Sequence, residues 1–140
     1  MDTGVVALLV KDAMHDVTLV QSGLSVADAA VLMDQKVIGS VLVEERGEII
    51  GIVSERDILR KVVAKGLNAS RMRIKDIMSS PVITIDAETE LQDASEVMRE
   101  NKIRRLIITE GGNVVGIITA RDVAENIKYV FSRKLLQLDR

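Results

Sequence analysis

The chain carries one polar cluster twice, Ser54-Glu-Arg-Asp57 and Thr119-Ala-Arg-Asp122, each behind an apolar run that opens with glycine at Gly51 and Gly116. A buried strand running straight into a helix leaves unpaired backbone N–H groups and the positive end of the helix dipole at the helix start, which suits a phosphate. There the Ser54 hydroxyl could donate to an anion and Arg56 could add charge. The Asp57 carboxylate could accept both hydroxyl hydrogens of a ribose diol. Thr119, Arg121 and Asp122 would do the same work in the second cluster. The spacing also has a purely structural reading: Ser-x-x-Asp and Thr-x-x-Asp are capping boxes, in which hydroxyl and carboxylate satisfy the helix's own first N–H groups. Arg56 and Arg121 favour the anion, because a cation at the second helical position opposes the dipole unless a negative charge docks beside it.

The clusters are the densest part of an internal repeat. At an offset of 65, taking Val17 onto Val82, the residues Asp28, Ala29, Met33, Ile38, Glu45, Gly47, Gly51, Ile52, Arg56 and Asp57 all fall on identical residues. Lys11-Asp-Ala-Met14 matches Lys75-Asp-Ile-Met78 at an offset of 64, so one residue near Pro81 was gained or lost. Each copy is roughly 55 residues, a size that buries only about 60% of its unfolded surface and is marginal alone. Two copies are therefore expected to fold together.

The elements that must hold the clusters follow from periodicity. In the first copy Val17–Val20 predicts a strand, and Ser25 with Asp28 opens a helix whose apolar face is Val26, Ala29, Ala30, Met33 and Val37. Ser40–Val43 and Ile49–Val53 predict strands joined by a turn at Gly47, and Ile58, Leu59, Val62 and Val63 the stripe of a second helix. The second copy repeats this with Val82–Ile85, a helix through Leu91, Ala94, Val97 and Met98, a hairpin at Gly111-Gly112, and a helix from Arg121. The expected fold class is α+β, with the order strand, helix, strand, strand, helix read twice. Boundaries are set at 8–65 and 75–128 for the copies, 66–74 for a linker rich in Gly, Asn, Ser and positive charge, and 129–140 for a helical tail. That tail carries Val130, Phe131, Leu135 and Leu138 as an apolar stripe suited to a core or subunit interface.

Composition narrows the function. Hydrophobic residues make up 47% of the 140, almost all aliphatic, with one Tyr, one Phe and no Trp. That leaves little for stacking on bases and disfavours a reader of single-stranded nucleic acid. Nineteen basic against twenty-one acidic residues give a net charge of −2, so the chain as a whole does not attract polyanions. With no cysteine and a single histidine, His15, no disulfide framework or histidine-rich metal site can be assembled. His15 reads as a solvated loop residue. No apolar run approaches the roughly 18 residues of a membrane span, and the N-terminus lacks the basic region of a secretory signal, so a cytoplasmic protein is expected. Nor is there a nucleophile with a positioned base, so no enzyme is expected.

The doubled element order, the Lys-Asp-x-Met that opens each copy and the Gly-h-h-Ser/Thr-x-x-Asp of each cluster resemble the CBS domain, named after cystathionine beta-synthase. Two copies resemble the CBS pair, or Bateman module, over about residues 8–128. The resemblance implies a pseudo-twofold pair whose clefts bind adenosine-containing ligands, and which commonly dimerises. It gives Asp57 and Asp122 to ribose, and Ser54 and Thr119 to phosphate. It further implies that each cleft joins segments of both copies. One would combine Ile52, Ser54, Arg56 and Asp57 with Val82, Ile83, Thr84, Ile103, Arg104 and Arg105. Its mate would combine Ile117, Thr119, Arg121 and Asp122 with Val17, Thr18, Ile38, Gly39 and Ser40.

Arg104 and Arg105 align with Gly39 and Ser40, so the implied clefts are unequal, and the Asp57 cleft would have three guanidinium groups for a phosphate chain. The expectation is a regulatory adenine-nucleotide sensor for AMP, ADP or ATP, without a catalytic cofactor, acting as a homodimer on a downstream protein. The rivals are a ligand-free oligomerisation scaffold, an S-adenosylmethionine binder, and a nucleic-acid binder using Arg71, Arg73, Arg104 and Arg105.

Overall fold

A computed structural model describes residues 7–126. The expected tail at 129–140 lies outside the described residues. In chain order the elements are α1 (Val10–Ala13), β1 (Leu19–Gln21), α2 (Val26–Lys36), β2 (Ser40–Glu45), β3 (Glu48–Ser54) and α3 (Glu55–Ile58), which continues as a π-helical turn over Leu59–Val63. A 3-10 turn at Ile74–Asp76 leads to β4 (Thr84–Asp86), α4 (Leu91–Asn101), β5 (Arg105–Glu110) and β6 (Asn113–Thr119), and residues 120–126 are helical (α5). The fold is α+β and its order repeats as the sequence predicts.

Each copy makes a three-stranded sheet in which the short first strand runs parallel to the second and the second antiparallel to the third, in the orders β1-β2-β3 and β4-β5-β6. A register shift falls at the same place in both, between Val43 and Glu44 and between Ile108 and Thr109. The hairpins turn on Arg46-Gly47 and Gly111-Gly112, all four at positive φ, as a tight two-residue turn with the right twist requires. α2 buries Val26, Ala29 and Met33, and α4 buries Leu91, Ala94 and Met98, one stripe at helical spacing in each. Both helices stop at a left-handed residue, Val37 and Lys102, whose N–H returns to the helix's last carbonyls.

Two differences from the expected elements matter for the site. The first strands begin two residues later than expected, so Val17, Thr18, Val82 and Ile83 form extended leads ahead of them. These leads still pair in part, since the Thr18 carbonyl accepts the Leu42 N–H at 2.8 Å and the Ile83 carbonyl the Ile107 N–H at 3.0 Å. The second helix of the first copy is α-helical for one turn only before it widens.

The chain packs as two compact units that do not coincide with the sequence copies. One is Val17–Val82; the other joins the described residues before Val17 to those from Ile83 on. Each Lys-Asp-x-Met segment thus packs with the copy that it does not open. Val10 sits fully buried with Leu91, Leu106, Ile108 and Ile118, and its N–H donates to the Thr89 carbonyl at 2.8 Å. Ile74 and Ile77 are buried with Val26, Val41, Val43 and Val53, and the Ile74 N–H donates to the Leu24 carbonyl at 2.7 Å. The 66–74 stretch is tied down on the way, its Ala69 and Met72 carbonyls accepting the N–H groups of Ala27 and Val26 at the start of α2.

Candidate functional site

In the unit Val17–Val82, β3 delivers Ser54 to the N-cap of α3, and a complete capping box forms. Asp57 Oδ2 accepts the Ser54 N–H at 2.8 Å and the Ser54 hydroxyl at 3.1 Å, and the Asp57 N–H donates to Ser54 Oγ at 3.3 Å. The other carboxylate oxygen, Oδ1, meets Lys61 Nζ at 3.2 Å, and that ammonium also donates to the Ile77 carbonyl at 2.9 Å. The Glu55 N–H at the helix start goes to the Gly39 carbonyl at 3.0 Å. The protein itself therefore uses two of the N–H donors that a phosphate would draw on, those of Glu55 and Asp57.

The second unit builds the same turn with one substitution of parts. Asp122 Oδ2 accepts the Thr119 N–H at 2.9 Å and its hydroxyl at 2.8 Å, and the Asp122 N–H donates to Thr119 Oγ1 at 3.1 Å. The Ala120 N–H reaches the Arg104 carbonyl at 2.8 Å, as Glu55 reaches Gly39. Here the free oxygen, Oδ1, lies 2.7 Å from His15 Nε2. Burial works to raise the pKa of Asp122, but the His15 hydrogen bond and the Thr119 N–H and hydroxyl more than offset it and hold the carboxyl below its ordinary value.

The sequence reading missed His15. Far from being a free loop residue, it exchanges both backbone hydrogen bonds with Ile117 at 2.9 Å, and Ser79 does the same with Ile52 at 2.9 and 3.0 Å. The signal was present in the repeat: Lys-Asp-x-Met is followed by His15 in one case and Ser79 in the other. What could not be read is that the segment crosses to the other copy's strand.

The remaining predicted residues fall into two sets. Val17, Thr18, Ile38, Gly39, Ser40, Ile52, Ser54, Arg56, Asp57 and Val82 share one unit; Ile83, Thr84, Ile103, Arg104, Arg105, Ile117, Thr119, Arg121 and Asp122 share the other. Within each, the strand lead, the start of the middle strand and the Ser/Thr-Asp turn come together. Ser40 pairs with Ser54 in register, and Arg105 with Thr119. Arg104 and Arg105 thus belong to a different unit from Ser54 and Asp57. Arg56 and Arg104 are exposed, and Arg121 pairs in solvent with Glu125 at 3.0 Å.

Each unit also has a groove beside its helices. The first, of about 420 Å³, is lined by Met33, Asp34, Val37, Ile38, Gly39 and Glu55 among others; its equivalent, of about 460 Å³, by Met98, Arg99, Lys102, Ile103, Arg104 and Ala120 among others. Position for position the repeat has exchanged Asp34 for Arg99 and Glu55 for Ala120, with Lys102 and Arg104 added where Val37 and Gly39 stand. Among the described residues no group of three or more His, Cys, Asp or Glu could hold a metal, and no helix is long and apolar enough to cross a membrane.

A family model described as the CBS domain matches residues 10–64 and again 74–129. The CBS domain-containing protein YhcV of Bacillus subtilis is 34% identical over 118 residues, 84% of each chain. A Methanopyrus kandleri protein is 40% identical over 105 residues, which cover 74% of this chain but only 54% of that relative. Among solved structures, a hexameric CBS-CP12 protein from bloom-forming cyanobacteria superposes with a TM-score of 0.82 at 30% identity, covering 89% of this chain and 75% of that one.

Proposed function

The chain belongs to the CBS-domain family, with two domains in tandem, and on that premise we propose that it is a non-catalytic regulatory module of the cytoplasm that binds an adenine nucleotide, AMP, ADP or ATP. The observation that carries this reading is the doubled carboxylate turn. In both copies one oxygen of the aspartate is locked by the turn and the other meets a side-chain donor, Lys61 of the same helical run for Asp57 and the distant His15 for Asp122. A carboxylate offers roughly four acceptor positions, and the turn uses two of them. The remaining oxygen would accept ribose hydroxyls in exchange for that donor, with the Ser54 and Thr119 hydroxyls and the Arg56 and Arg121 side chains at the same helix starts for phosphate.

The module acts by differential affinity, since a ligand shifts a conformational or assembly equilibrium only as far as it prefers one state. Its effect passes to a protein partner or to its own assembly. That assembly is a homodimer. The helices of the first unit and the residue that ends α2 expose Val31, Val37, Leu59 and Val63, from 54% to 89% accessible, and Val37 lines the acidic groove with Asp34 and Glu55. The basic groove of Arg99, Lys102 and Arg104 on a second copy of the chain is its electrostatic complement, so the two chains pair first unit to second.

One observation favours a ligand-free scaffold instead: in both capping boxes the hydroxyl, the carboxylate and the helix's own N–H groups satisfy one another. A thermal-shift screen across AMP, ADP, ATP, GTP and S-adenosylmethionine separates the two. At a hundredfold excess over its dissociation constant a bound ligand adds about 2.7 kcal/mol, or roughly ten degrees at this size. No shift with any adenylate at millimolar concentration sinks the nucleotide reading.

A further inference from the structure

We propose that His15 is a specificity-determining residue of the second copy: its imidazole occupies the one Asp122 oxygen that a ribose would use, so the Asp57 copy fills first and the Asp122 copy binds only by displacing the ring. The inference rests on the nucleotide reading above.

The two copies treat the same carboxylate oxygen differently. At Asp57 the partner is Lys61, on the same helical run as Asp57 itself. The repeat replaces Lys61 by Asn126, whose amide turns to the Asp122 backbone carbonyl at 2.7 Å and leaves the carboxylate oxygen alone. The vacant role is taken by His15, at the position where the other copy has Ser79. A serine side chain is too short to make that reach.

The consequence for a ligand is unequal. Lys61 is an ammonium on a flexible four-carbon stem. It can leave Asp57 to ribose hydroxyls and stay nearby as a positive charge for a phosphate. His15 has its backbone clamped on both sides by Ile117, so its ring stays at high effective concentration beside Asp122. The His15 side chain is 63% exposed and the Asp122 side chain 13%, so the imidazole is the more solvent-facing partner of the pair. A ribose diol that uses both remaining acceptor positions of Asp122 must break a hydrogen bond of 2.7 Å that the protein already makes.

The test is calorimetric titration of AMP, ADP and ATP in an Asp57→Ala background, where only the second copy can bind through its aspartate. His15→Ser, which installs the residue that the other copy tolerates, should tighten binding about tenfold. His15→Gln, whose amide can still donate to Asp122, should bind as the Asp57→Ala background does. A purely structural role for His15 would not separate these two variants. Equal or weaker binding by His15→Ser overturns the proposal and makes His15 neutral or a ligand contact, while the parent chain still binds at Asp57. If the parent chain itself takes up no adenylate, the nucleotide reading falls, and the proposal with it.

Discussion

The thioether of Met78 lies where a side chain at Gly51 would start: a Cβ built on that glycine would stand 2.5 Å from the sulfur and 2.8 Å from Cγ. Met14 holds the equivalent place over Gly116. The glycine three residues before each Ser/Thr cap is therefore the seat for the methionine of the crossing Lys-Asp-x-Met segment. The seat brings Ser79 and His15 alongside the strands that carry the caps.

Gly51→Ala should cost about 1–3 kcal/mol, because the contact includes Met78 Cβ at 3.0 Å, so the segment itself must move. Chemical denaturation measures it. The double variant with Met78→Ala should be less destabilised than the sum of its singles, since the second change removes the clash created by the first. Additive losses would show that glycine is there for another reason.

The repeat made much of this fold legible. Alternation in Ser40–Val43, the Val26, Ala29, Met33 stripe and the glycine at each hairpin all reappear as elements, because each is set by local periodicity and turn chemistry. The two readings of Ser-x-x-Asp were legible as well, and the cap half is present in full. The rest depends on tertiary crossing. Sequence order assigns Met14 and His15 to the first copy, but they pack with the second, and the His15–Asp122 bond spans 107 residues with no local signal. Lys61 stands four residues after Asp57, a spacing at which helical side chains meet, but nothing local tells that its ammonium also reaches the Ile77 carbonyl.

Asp122 should make the fold acid-sensitive. Its carboxyl is held below the ordinary 3.8, so the folded state favours the ionised form, and the stabilisation is complete above that value. It declines as pH falls from there through the lowered folded value. The difference in melting temperature between the parent and Asp122→Asn should therefore be constant near neutrality and shrink below about pH 4. A difference that grows on acidification would reverse the sign and contradict the assigned hydrogen bonds.

Asp57→Ala should act on two quantities at once. Losing the N3 partner of the capping box costs on the order of 1 kcal/mol of stability in the ligand-free protein. Losing a charged acceptor for ribose costs about 1.5–3 kcal/mol of binding, a ten- to hundredfold weakening of ADP or ATP. Asp122→Ala should lose similar stability but little affinity, since His15 already holds that carboxylate from the ligand. Early melting of both variants with nucleotide bound as tightly as by the parent would leave the aspartates as caps alone.

The proposed pairing of two chains through these grooves is testable by charge reversal. Asp34 and Glu55 on the first unit and Arg99, Lys102 and Arg104 on the second occupy equivalent grooves, so first-to-first pairing sets like charges together, whereas first-to-second pairing opposes acid to base. Asp34→Arg should therefore raise the dimer dissociation constant about tenfold or more, and Arg99→Asp likewise, each by placing like charges across the contact. Combined in one chain the two reversals exchange the partners at that pair, and sedimentation equilibrium should show association largely restored. If the double variant is weaker than either single one, or if all three associate as the parent does, the chains do not pair first unit to second through these grooves.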